Sequence, residues 1–194
     1  HPMLPRYSWE EFTASKLRWQ PDQHVTLIGP TGCGKTTLAL ALVQQRQWVT
    51  VFGTKPKDST LSALLRKGWK RYSDFDDVPG IIDAGNGPGA QRIVLWPKYR
   101  RIGDEQRQVD VFDHALRQMF VDENWTLFCD EIGYIAKNLG LEQVLKQWWL
   151  QGRAIGLSLV AATQRPAWIP LEAYSQASHL FLWQIGRASC RERV

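Results

Sequence analysis

Eight consecutive residues constrain this chain more than any others. Gly29-Pro30-Thr31-Gly32-Cys33-Gly34-Lys35-Thr36 meets the spacing G-x-x-x-x-G-K-[ST] at every fixed position. That spacing has meaning only between a strand and a helix, and both flanks agree. His24-Val25-Thr26-Leu27-Ile28 before it is short, β-branched and apolar; Thr37-Leu38-Ala39-Leu40-Ala41-Leu42-Val43 after it is rich in helix formers. In this setting the glycines let the backbone curl into a nest. Its N–H groups, with the positive end of the new helix, hold anionic phosphate. Lys35 is placed to reach the terminal phosphates, and the Thr36 hydroxyl to hold Mg²⁺. The stretch predicts a nucleoside triphosphate site over Gly29, Pro30, Thr31, Gly32, Cys33, Gly34, Lys35, Thr36 and Thr37.

Composition narrows what surrounds the loop. A length of 194 residues suits one domain, expected over 1–185 with a helical flank at 1–20. A hydrophobic fraction of 44% and a charged fraction of 22% are those of a globular protein and exclude a disordered one. Ten tryptophans imply large buried or interface surfaces. Cys33, Cys129 and Cys190 lie far apart without C-x-x-C spacing, which reads as reduced thiols in a cytoplasmic protein rather than a disulfide framework or metal site. No apolar run approaches a membrane span, and no secretion signal is visible. The net charge of +5 permits a nucleic-acid partner without demonstrating one. Three arginines and a glutamate in Gly186–Val194 supply part of it; composition changes abruptly there, as in a foreign tail.

Along the chain, Ser8-Trp9-Glu10-Glu11 is a capping box ahead of a short helix expected to end near Trp19. Further strands are expected at Trp48–Phe52, Gln91–Trp96, Trp125–Cys129, Leu157–Ala162 and Ser178–Ile185. Helices are expected at Ser59–Lys67, at Gly103–Val121 with Val109, Phe112, Leu116 and Met119 on one face, and around Leu141–Trp148. Asp74–Gly89, rich in glycine and proline, reads as an irregular excursion. Strands alternating with helices predict a three-layer α/β fold on a mainly parallel sheet.

Two further constellations carry chemistry. Asp130 and Glu131 end an apolar strand downstream of the phosphate loop. There Asp130 supports Mg²⁺ and Glu131 suits a general base that activates water. As plain structure, two acids would cap the following helix. Thr163-Gln164-Arg165-Pro166 follows another strand, and ligands gather outside the carboxyl ends of such sheets, so Gln164 is a candidate contact for the terminal phosphate.

The order phosphate loop (Gly29–Thr36), Phe128–Glu131, Gly152–Arg153, then Thr163–Pro166 resembles the HerA/FtsK superfamily of P-loop ATPases, over roughly Val25 to Ile185. The resemblance implies ATP as the nucleotide and a RecA/ASCE-like P-loop NTPase sheet of order 5-1-4-3-2. It implies Lys35, Glu131, Gln164 and Arg153 as catalytic residues: Glu131 as base, Gln164 as sensor, Arg153 as an arginine finger acting across a subunit boundary. It also implies a hexameric, homo-oligomeric ring that moves double-stranded DNA, and the compact size suggests an ATPase of a phage or mobile element. By charge alone, Arg153 is equally a solvated cation at a helix end.

Basic residues cluster at Lys55, Lys57, Arg66, Lys67, Lys70 and Arg71, and again at Lys98, Arg100, Arg101 and Arg107 around Tyr99. Such groups track phosphates without reading sequence, or simply decorate solvated loops. Adjacent Trp148 and Trp149 cannot both face a core from one helix, so one is expected at a subunit interface or under a neighbouring loop. Among rival readings, Asp130-Glu131-Ile132-Gly133 fits the D-x-x-G of a GTPase, but no guanine-specifying motif follows. A small-molecule kinase leaves Glu131 and Gln164 without roles, and the Leu-Ser-Gly-Gly of ABC ATPases is absent. A nucleotide-switched assembly factor that does not pump DNA stays open as the alternative function.

Overall fold

The protein is described by a computed structural model over residues 6–12, 17–79, 91–98 and 103–183. The 186–194 tail, Cys190, Tyr99, Arg100 and Arg101 lie outside the described residues, as does most of the Asp74–Gly89 excursion. Seven strands form one sheet: β1 (His24–Ile28), β2 (Trp48–Phe52), β3 (Lys70–Tyr72), β4 (Gln91–Leu95), β5 (Thr126–Cys129), β6 (Ser158–Thr163) and β7 (Ala177–Leu182). Every pairing is parallel, in the order β3-β4-β2-β5-β6-β1-β7.

The sheet has seven strands rather than the five of the expected order 5-1-4-3-2; numbered among themselves in chain order, the strands other than β3 and β4 run 5-1-4-3-2. Two strands, β3 and β4, are added outside β2, and the other five run β7-β1-β6-β5-β2. β3 escaped the sequence reading because Lys-Arg-Tyr is short, charged and lacks the apolar alternation of a half-buried strand. As an edge strand its charges face water and blunt the exposed edge.

The central strands are apolar throughout because both faces are covered. Val25, Leu27, Val49, Val51, Val94, Phe128, Val160 and Ala162 point to one face. There they meet Ala39, Leu42 and Val43 of α2 (Lys35–Val43) and Leu61 and Leu64 of α3 (Ser59–Arg66). The alternate residues Ile28, Phe52, Ile93, Leu95, Leu127, Cys129, Leu159 and Ala161 point the other way. They are covered by α4 (Glu105–Asp122) and α5 (Glu142–Gln151), with Phe52 stacked on Phe112 at 4.3 Å between centroids. Cys129, fully enclosed, has its thiol pKa raised by burial, the neighbouring Asp130 charge adding to the effect.

At the amino end, Ser8 Oγ accepts from the Glu11 N–H (3.1 Å) and Glu11 Oε2 from the Ser8 N–H (2.9 Å), the capping box of α1 (Trp9–Glu11). The helix does not run to Trp19: residues 17–20 are irregular. The tryptophan pair corrects another expectation. Trp148 and Trp149 are both fully buried. The two indoles diverge by about 100° around the helix, but α5 is packed by α4 and by α6 (Glu172–Ser175) as well as by the sheet, so both directions meet protein. Trp148 Nε1 donates to the Leu116 carbonyl of α4. Neither ring is available to a subunit interface.

His24 opens β1 in full burial, and its Nδ1 accepts the backbone N–H of Leu159 at 3.0 Å. Burial, with the Arg153 charge adding to it, lowers its pKa from 6.5 to about 4. Below pH 6.5 the unfolded chain therefore takes up a proton that the folded chain refuses until about pH 4. The stability is complete above 6.5 and is lost as pH falls towards 4. Urea unfolding should find the protein about 2 kcal/mol less stable at pH 5 than at pH 7.5 through this group. His24→Gln should remove that part of the difference.

Candidate functional site

The loop between β1 and α2 is shaped by two glycines in the left-handed region, Gly32 at φ 77° and Gly34 at φ 98°. α2 has no acid of its own in its first turn and no side-chain cap at Gly34, so its N–H groups and positive dipole end are turned to the loop. Lys35 reaches back into the same loop. Its Nζ donates to the carbonyls of Gly29 and Pro30, both at 2.8 Å, and the residue is 7% exposed. A buried ammonium normally has an anionic partner. Among the described residues Lys35 is bonded to carbonyls and forms no carboxylate ion pair. Buried cation, glycine nest and bare helix terminus together fit a phosphate.

Sheet order brings the remaining groups to this loop. β6 lies beside β1, and the Gly29 N–H donates to the Thr163 carbonyl at 3.2 Å. One residue on, Gln164 Oε1 accepts from the Thr31 hydroxyl at 2.6 Å, joining the end of β6 to the phosphate loop. β5 lies next in line, and its end supplies both acids. Thr36 Oγ1 donates to Asp130 Oδ1 at 2.7 Å. Hydroxyl and carboxylate are the hard oxygens that Mg²⁺ takes, so the pair fits that ion, with Thr36 and Asp130 the groups to hold it.

Glu131 is held differently. Its Oε1 accepts from the Thr163 hydroxyl at 2.9 Å, and that hydroxyl itself accepts the Arg165 N–H at 2.9 Å. Thr163 is a residue that sequence reading passed over in favour of its neighbour; its place in Thr-Gln-Arg-Pro at a strand end was the available signal. Glu131 also borders a cavity of about 340 Å³ with Tyr134, Asn138, Gln164, Arg165 and Trp168. The Arg165 guanidinium stacks over Trp168 at 4.3 Å.

Of the expected residues, Gly29 to Thr36, Asp130, Glu131 and Gln164 converge on one end of the sheet, and Thr37 stands exposed on the outer side of α2. Arg153 does not join them. It is exposed in the 3₁₀ turn Gly152–Ile155, where its charge acts on His24 at the amino end of β1. That is the end of the sheet opposite the phosphate loop. The basic clusters also divide. Lys55 and Lys57 follow β2 at the loop's end, whereas Arg66 and Lys67 sit where α3 returns towards the far end. Lys70 and Arg71 lie on β3 beside the carboxyl half of β4, and Trp96, which Arg71 reaches, donates its indole N–H to the Lys55 carbonyl. Arg107 pairs with Asp74 at 3.1 Å, and Arg71 lies over Trp96. Among the described residues no group of three or more His, Cys, Asp or Glu side chains gathers as a metal cluster, and no helix is long and apolar enough to cross a membrane.

A parallel sheet covered on both faces, a glycine nest opening a helix, a buried lysine in that nest and an acid pair on a neighbouring strand are the fold and phosphate-loop arrangement of the P-loop NTPases. No protein-family profile matches the sequence, nor does any curated protein, but 85 chains of solved structures match it in shape. Among them is the genome packaging NTPase B204 from Sulfolobus turreted icosahedral virus 2. Its complex with AMPPCP aligns at a TM-score of 0.54 and 18% identity, over 85% of this chain and 77% of that one. Its complex with sulfate aligns at 0.58 and 17%, over 86% and 77%. The cytoplasmic domain of EssC aligns at 0.51 and 16%, over 91% of this chain and 35% of its own. At these identities the likeness is one of fold, and at that level it agrees with the HerA/FtsK resemblance of the motifs.

Asp130→Asn keeps the shape of the Thr36 partner and removes its charge. Calorimetric titration should then show Mg²⁺ supporting nucleotide binding roughly 10- to 100-fold more weakly, with Mg²⁺-free affinity unchanged.

Proposed function

We propose that this chain is a Mg²⁺-dependent ATP hydrolase that works in a homo-oligomeric ring as a double-stranded DNA translocase of the packaging type. One observation carries the hydrolase part. Glu131 stands at the strand end beside the phosphate loop, its carboxylate oriented by Thr163 and bordering open space, while Asp130 beside it is engaged with Thr36. Two neighbouring acids thus have two different environments and two different roles.

The roles follow from the chemistry. Lys35 and the loop N–H groups bind the phosphates and neutralise the charge that builds on them. Thr36 and Asp130 would hold Mg²⁺, which would supply positive charge to the phosphates. Glu131 takes the proton of the attacking water, and Thr163 fixes the carboxylate for that transfer. Gln164 touches the loop through Thr31, so its amide senses whether a terminal phosphate is present. Arg153, remote from its own loop, acts as an arginine finger on the site of a neighbouring subunit or not at all.

The DNA part is supported by the likeness in fold to the packaging NTPase B204 and by exposed Lys57, Arg66, Lys67 and Lys70. Binding through such lysines and arginines depends on phosphate charge and weakens with salt.

ATP turnover measured with and without double-stranded DNA tests the whole reading. Stimulation that fades with rising salt is the expected result. Turnover indifferent to DNA replaces the translocase with the nucleotide-switched assembly factor, and no turnover under any condition removes the hydrolase. Glu131→Gln should leave nucleotide affinity within about twofold while turnover falls roughly 100- to 10,000-fold, the range a general base contributes. Unchanged turnover in that variant would take the base role away from Glu131.

A further inference from the structure

The loop has two flanks, and only one has been given a function. Gln164 and Glu131 lie on the β6 and β5 side of β1. On the other side β7 runs parallel to β1, and the residue that leaves it is Trp183. The Trp183 N–H donates to the Ile28 carbonyl at 2.9 Å, extending the ladder one step past the strand, level with the first loop glycine. A Cβ placed on Gly29 would stand 2.7 Å from Trp183 Cβ and 2.8 Å from Cys33 Sγ. Gly29, Cys33 and the root of the indole are therefore in direct contact, and Gly29 has no room for a side chain.

Trp183 is half-buried. Two residues earlier on the same face, Phe181 packs on the core and meets Phe12 edge-on at 5.9 Å. Phe181 and Trp183 are alike half-buried and packed on the core, and Trp183 is the member of this stripe that stands beside the phosphate loop.

A nucleotide is longer than its phosphates. With the terminal phosphate towards Gln164 and Glu131 and the chain of phosphates in the nest, ribose and base must leave by the opposite flank. We propose that Trp183 is a stacking platform for the nucleobase. The inference rests on the reading of Gly29–Thr36 as a nucleoside triphosphate site and adds where the rest of the ligand goes. An indole offers a wide π face, and every base has one to match, so Trp183 supplies affinity for the base without choosing among bases.

The test compares equilibrium binding of two probes, a non-hydrolysable ATP analogue with Mg²⁺ and inorganic tripolyphosphate, which has the phosphates and no base. Trp183→Leu keeps an apolar side chain against Gly29 and Cys33 but removes the ring; Trp183→Phe keeps a smaller one. In Trp183→Leu nucleotide affinity should fall roughly 5- to 150-fold, the range of base–aromatic stacking. Tripolyphosphate affinity should stay within about twofold, and Trp183→Phe should recover most of the nucleotide binding. Equal loss for both probes would make Trp183 a support of the loop and overturn the platform, as would unchanged nucleotide affinity in Trp183→Leu. If wild-type protein binds neither probe, the triphosphate-site reading itself falls. If wild type binds tripolyphosphate as tightly as the nucleotide, only the platform does.

Discussion

The pairing of β1 with β6 is the contact on which the rest of this protein depends. Parallel registration of Val25 with Val160 through Ile28 with Thr163 brings two loop starts, 135 residues apart in sequence, to the same level. It puts the Thr163 carbonyl opposite the Gly29 N–H and the Gln164 amide opposite Thr31. Parallel strands all end on the same side of a sheet, so every strand adjacent to β1 delivers its following residues to the phosphate loop. A one-residue slip would exchange the two faces of β6. It would carry Val160 and Ala162 away from α2 and move Thr163 off the loop together.

The acid pair shows how that geometry divides labour. Asp130 and Glu131 are adjacent in the chain at the end of β5. The side chain of Asp130 turns towards Thr36 at the start of α2, that of Glu131 towards Thr163 on the next strand. Each is fixed by a threonine hydroxyl from a different element. The Thr163 hydroxyl in turn accepts from the Arg165 backbone, which couples Glu131 to the turn carrying Trp168. A carboxylate held this way is oriented before any ligand arrives, which is what electrostatic preorganisation demands.

Burial of large aromatics holds the frame that carries these groups. Trp125, Trp148, Trp149, Phe112 and Phe128 are almost wholly enclosed. Removing such a ring from a core of this kind costs about 3–5 kcal/mol, a large part of what keeps a domain folded. Among the described residues the tryptophans lie mainly inside the three layers; Trp48 and Trp183 are half-buried and Trp168 is exposed, and Trp183 is the one beside Gly29.

Local patterns in the sequence determined a good deal: the loop, the strand and helix around it, the Ser8–Glu11 box, the α4 stripe of Phe112, Leu116 and Met119, and the acids at the end of β5. Each is a matter of spacing, propensity or turn chemistry acting over a few residues, and such effects survive in any context. Tertiary structure decided what depends on residues far apart. Strand order is set by packing and not by the strands' own composition, so the places of β3 and β4 at the edge could not be read from the chain. The burial of both Trp148 and Trp149 required α4 and α6 to close on α5 from two sides. The distance of Arg153 from its own loop, the grip of Thr163 on Glu131 and the contact of Trp183 with Gly29 all arise because parallel pairing aligns strand ends. The composition of the strands by itself does not say which ends will meet.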